Sequence, residues 1–196
     1  NFAYKGSDLD FFIITAANRL WIARTMLLVC VRALNAIRIR HLCCLNYYID
    51  EHAMEIEEKN IFTAVEARTL IPAKGQHSFQ QFFAANQWAR EYLPNSAFRK
   101  LPARELSSRA FKWLFEWLMN NRIGDNLDTL LMHRFSKRWQ KQLAHNKMLK
   151  NGVPQGSVIA AKHMCKPDAR FFQHRILRRF REKIADISAR YMVAAN

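Results

Sequence analysis

The apolar positions of this chain run first in unbroken blocks and later at helical spacing, and the change divides the sequence. Asp10-Phe11-Phe12-Ile13-Ile14-Thr15 is a short, almost wholly apolar block rich in Phe and Ile. It predicts a buried strand, central in its sheet. Asn18 can cap a helix over 19–38, in which Leu20, Ala23, Leu27, Cys30, Leu34 and Ile37 recur at three- and four-residue steps. That spacing predicts one buried stripe, with Arg24, Arg32 and Asn35 turned away from it. The segment 42–49, Leu-Cys-Cys-Leu-Asn-Tyr-Tyr-Ile, favours a second strand. A strand, a helix and a strand in succession predict a βαβ crossover with parallel strands.

Beyond residue 60 the pattern turns helical. Segments 62–70, 79–92, 104–121 and 126–149 predict helices, with stops at Pro72, Gly75 and Pro94 and a break at Gly124 followed by Asp125 as a cap. Gly152-Val153-Pro154-Gln155-Gly156 predicts a turn, 157–163 a brief strand and 169–191 a long last helix. The resulting fold class is α/β, mostly helical. A small sheet core at 1–60 with a βαβ crossover is followed by a helical, strongly basic region at 61–196.

Composition adds that the chain can bury a core, since half of its 196 residues are apolar and 14 are Phe. The most apolar stretch, 20–39, is interrupted by Arg24, Arg32 and Arg38, which argues against a membrane span. Cys30, Cys43, Cys44 and Cys165 have neither CxxC nor repeated spacing, so the expectation is buried, reduced thiols in a cytoplasmic protein. The chain opens at Asn1 without a methionine, and the expectation is a fragment of a longer sequence.

Asp8 and Asp10 carry the most chemical information. Residues two apart on a strand project to one face, and neighbouring carboxylates repel unless a cation lies between them. Oxygen ligands of this kind suit magnesium or manganese, as phosphoryl and nucleotidyl transfer require. The run Gly6-Ser7-Asp8-Leu9-Asp10-Phe11-Phe12-Ile13 resembles the strand motif of the DNA polymerase β-like nucleotidyltransferase superfamily, in particular its minimal bacterial members. The resemblance covers about a quarter of the chain, with the order strand, helix, strand over residues 9–49. It implies that Asp8 and Asp10 are catalytic and bind the metals, that Ser7 lies beside a nucleotide, and that a nucleoside triphosphate is the substrate. The Gly-Ser turn of the family lies about ten residues before its paired aspartates, which here would fall before Asn1. Its third carboxylate matches Asn46, with Asp50 a substitute if Asn46, Tyr48 and Asp50 share one face by period two.

Charge separates the two halves. Residues 1–98 hold 10 Lys and Arg against 9 Asp and Glu, whereas residues 99–196 hold 21 against 7. The second half therefore has the character of a surface for nucleic acid or another acidic acceptor. Arg178, Arg179, Arg181 and Lys183 on the last helix are the candidate contacts. Trp113, Trp117, Phe135 and Trp139 interleave with cations, but their helical spacing predicts core. His133, His163 and His174 have no ligand-like spacing and receive no role.

Overall fold

The computed structural model describes residues 9–36, 43–96, 113, 116–145, 157–168 and 172–194. Strand β1 (Leu9–Thr15), helix α1 (Leu20–Ala36) and strand β2 (Cys43–Asp50) form the expected unit, with β1 and β2 parallel. Helices α2 (Ile61–Thr69), α3 (Gln76–Ala85) and the short α4 (Ala89–Tyr92) follow. The chain continues through α5 (Arg122–His145), the hairpin β3 (Ser157–Ala160) and β4 (Met164–Asp168), and ends in α6 (Phe172–Ala194). The result is a mostly helical α/β arrangement around one mixed sheet of order β1-β2-β4-β3, in which β4 runs antiparallel to both neighbours.

Among the described strands the one predicted to be central lies at the edge, and β2 is interior. The first three residues of β1 are exposed. Its apolar run has another cause: both of its faces are covered further along. Phe12 and Ile14 pack with Ile49, Phe82 and Met164 on one face, and Ile13 packs with Leu20, Trp21 and Tyr48 on the other. Helices α2 and α3 close the first face, and α1 and α5 the second.

Helix α1 buries the first part of the predicted stripe, Leu20 and the half-buried Leu27, but not Cys30 or Leu34. Leu20 and Trp21 are fully buried, while Leu34 and Cys30 are exposed. Cys30 thus departs from the expected buried thiol, whereas Cys165 is buried and its pKa is pushed up to about 11 by that burial. Arg24 also departs from expectation. It is buried, with its guanidinium carbon 4.5 Å from the Phe135 ring centroid and 4.7 Å from that of Trp139. Planar stacking on aromatic faces lets a guanidinium enter a core that would reject an ammonium. Trp139 and Phe135 are core as predicted, but Trp113 and Trp117 are exposed.

The ends of the helices follow local chemistry. Asn60 and Thr63 make a capping box on α2, each side chain accepting the other's backbone N–H at 3.1 Å. The predicted helix over 79–92 is broken at Asn86, whose amide nitrogen donates to the carbonyl oxygens of Met54 and Phe82 and whose oxygen accepts from Ile56 N–H. Gly124 sits inside α5 and does not interrupt it. A Cβ there would fall 1.9 Å from the Met119 carbonyl oxygen, so the close turn into α5 requires glycine. Asp128 of α5 accepts the N–H groups of Trp21 and Ile22 at 2.8 and 2.9 Å, capping α1 from another helix. No helix among the described residues is long and apolar enough to cross a membrane.

Candidate active site

A bulge in β2 decides what faces what. Phe11 pairs with Leu45 and Phe12 with Tyr47, which leaves Asn46 as an extra residue. Strict alternation would send residues 45, 47 and 49 to one face. Instead Leu45 packs with Leu20 and Tyr48, while Tyr47 and Ile49 pack with Phe12 on the opposite face. The bulge therefore turns Asn46 away from Tyr48 and toward Asp10, overturning the expected shared face of Asn46, Tyr48 and Asp50.

Asn46 and Asp10 are brought together: the Asn46 side-chain amide donates to Asp10 Oδ1. The Asn46 carbonyl oxygen in turn accepts from the Cys44 thiol at 3.0 Å. Both side chains open onto a cavity of about 260 Å³. Helix α2 forms one wall through Phe62, Thr63, Glu66, Ala67 and Leu70, residues that helical spacing sets on one face. The sheet contributes Phe11, Phe12 and Tyr47, and the first turn of α6 contributes Phe172 and Gln173. Ser7 and Asp8 lie outside the described residues.

Glu66 supplies a carboxyl that the sequence pattern did not single out. Its pKa is raised by the packed surroundings of the cavity and further by the negative charge of Asp10, although the residue keeps much of its surface on solvent. A carboxyl perturbed by desolvation and a neighbouring charge in a cavity is a candidate functional group. At the other end of the cavity Lys166 is buried, 2.7 Å from Glu58 Oε2 and also donating to Gln173 Oε1. Its ammonium lies 5.9 Å from the centre of the Tyr47 ring. Burial holds the Tyr47 hydroxyl in its neutral form well above the usual range, and the nearby Glu58 and Glu57 charges add to this. Tyr47 Oη donates to Met164 Sδ at 3.4 Å.

Asp50 is elsewhere. It pairs with Thr15 while Asp10 pairs with Cys44, so the two aspartates stand about 17–20 Å apart along the strands. Asp50 is fully buried and its oxygens are occupied. Oδ2 accepts from Asn18 N–H at 2.9 Å and lies 2.8 Å from His163 Nδ1, and Oδ1 accepts from His52 N–H at 3.0 Å. Asn18 holds a left-handed φ of 56° to deliver that N–H, and the His52 and His163 rings meet edge to face at 5.3 Å. This cluster ties the β1–α1 turn, the end of β2 and the β3–β4 hairpin together. His163, given no role by spacing, belongs to it, and only the β3–β4 pairing could have revealed the contact.

The cationic candidates are separate from both clusters. Arg178, Arg179, Arg181 and Lys183 are exposed on α6, and Arg134, Lys137, Arg138 and Lys141 form an exposed row on α5. Among the described residues no group of three or more His, Cys, Asp and Glu side chains is arranged to share a metal ion. Comparison with protein-family models, with curated proteins and with solved structures yields no match for this chain.

Proposed function

We propose that the chain is a metal-dependent nucleotidyltransferase whose reaction takes place at the Asp10 end of the cavity. The observation that carries this reading is the convergence of Asp10, Asn46 and Glu66 on one aromatic-lined cavity at the start of β1. The donors there are oxygens. Carboxylate oxygen suits magnesium or manganese, and the pKa of Glu66 is raised by burial first and then by the Asp10 charge. Asp10 would hold the ion, with Asp8 beside it as the resemblance implies. A bound ion would supply positive charge against the triphosphate oxygens.

The chain's own residues divide the remaining work. Asn46 donates to one oxygen of Asp10, fixing the carboxylate and leaving its other oxygen for a ligand. Asn46 is thus a positioning residue. Glu66 takes the part of the third carboxylate that β2 lacks. Its raised pKa suits it to accept the proton of an acceptor hydroxyl. The hydroxyl oxygen bonds to the α-phosphorus, the bond from that phosphorus to the bridging oxygen breaks, and pyrophosphate leaves.

The test is thermal unfolding with magnesium and ATP together. Wild type should melt several degrees higher than without them, and both Asp10→Asn and Asp8→Asn should remove the increase. An increase that survives in both variants refutes the assignment. A second reading is favoured by the exposed cationic rows of α5 and α6: a catalytically inactive module of the same fold that binds RNA or another polyanion. It predicts binding that weakens steeply with salt and ignores both aspartate substitutions.

A further inference from the structure

The cavity beside Asp10 has a chemistry of its own, independent of any metal. Five aromatic rings line it, from Phe11, Phe12, Tyr47, Phe62 and Phe172. Phe12 stacks on Tyr47 at 5.2 Å, and Phe62 meets Phe172 edge to face at 6.1 Å. Such walls favour a flat ring, which loses little conformational freedom on binding.

The polar groups are uneven in sign. Among the described residues Lys166 is the cation that lines the cavity, and Glu58 neutralises it at 2.7 Å. Among the same residues Asp10 and Glu66 have no cationic partner in the cavity lining. The electrostatic complement of the Asp10 end is therefore a positive charge. A carboxylate or phosphate on the ligand would meet repulsion there.

We propose that this cavity binds a small arylalkyl amine in its cationic form, the ring lying between Phe12, Phe62 and Phe172 and the ammonium reaching Asp10 and Glu66. The binding of this ligand does not rest on the transferase reading. Because burial and Asp10 both raise the pKa of Glu66, the cation gains affinity as pH rises and Glu66 ionises.

Three indoles that share a ring and differ in charge test this on the full chain by calorimetry, without metal or nucleotide. Tryptamine should bind saturably, tryptophol about tenfold more weakly, and indole-3-acetate not measurably. Glu66→Gln should reduce the preference for tryptamine over tryptophol, and Phe172→Ala, at a half-exposed position, should weaken both. Equal binding of the three, preference for the acetate, or no binding of tryptamine overturns the proposal. Tryptamine binding in a protein that ignores magnesium and ATP would sink the transferase reading alone, and the reverse result would sink this one alone.

Discussion

The two ends of β2 hold acidic groups in opposite circumstances. At Asp50 the protein supplies every partner: two backbone N–H groups and the His163 ring, on a carboxylate with no exposure. At Asp10 the described residues supply one amide hydrogen, and the side chain lines a cavity together with Glu66. A carboxylate whose hydrogen bonds are complete within the chain holds the fold. One short of partners and open to a cavity is free to hold a ligand. Residue type alone does not distinguish them; the number of internal partners does.

Removing the saturated group should have the largest effect. Asp50→Ala strands two backbone N–H groups and the His163 ring, and should cost about 3–5 kcal/mol in urea unfolding. A cost under about 1 kcal/mol would erase the contrast between the two ends. Asp128→Ala removes the cap of α1 and leaves the N–H groups of Trp21 and Ile22 unpaired in the core, which should cost about 2 kcal/mol by the same measurement.

The smallest expected effect has the opposite sign. Glu66 has a raised pKa in the folded chain, so the folded state binds its proton more tightly than the unfolded one and stability falls as pH rises through that range. Glu66→Gln should therefore be slightly more stable than wild type at pH 7, by less than about 0.5 kcal/mol because solvent screens a group this exposed. The difference should vanish below about pH 4, where the unfolded carboxyl is protonated as well. Thermal unfolding across this pH range measures it, and a variant that loses stability at pH 7 would mean that Glu66 is held by favourable contacts.

Much of the fold was legible, and the failures have physical causes. The β1–α1–β2 unit followed from an apolar block, a helical apolar pattern and a β-favouring run, and it forms with parallel strands. The predicted Asn18 cap does not form, because its side-chain oxygen is buried without a partner and Asp128 accepts the Trp21 and Ile22 N–H groups instead. The position of β1 at the edge was hidden because an unbroken apolar run reports two covered faces and not two neighbouring strands. Arg24 was assigned to the surface by its charge, yet aromatic rings from α1 and α5 accept its planar face. The exposure of Trp113 and Trp117 shows the converse, since helical spacing alone does not supply a partner surface.

The candidate site was legible only along β1. Asp10 was found from its own motif, and Asn46 from the matching position on β2. Period-two counting then tied Asn46 to Asp50, and one bulged residue reversed that. Glu66 stands on a helix where a lone acid is unremarkable, and Lys166 lies on a strand whose pairing joins residues more than a hundred positions apart. Contacts of that separation leave no periodic trace in sequence.

Manganese tests the central claim most directly, because its unpaired electrons broaden nuclear resonances nearest to it. Added below stoichiometry with a non-hydrolysable ATP analogue, it should first erase the Asn46 side-chain amide and the backbone signals of Asp10 and Phe11, while the His52 and His163 ring signals persist. Loss of the His52 and His163 signals first would put the ion at the Asp50 end and contradict the account, as would uniform retention of all of them.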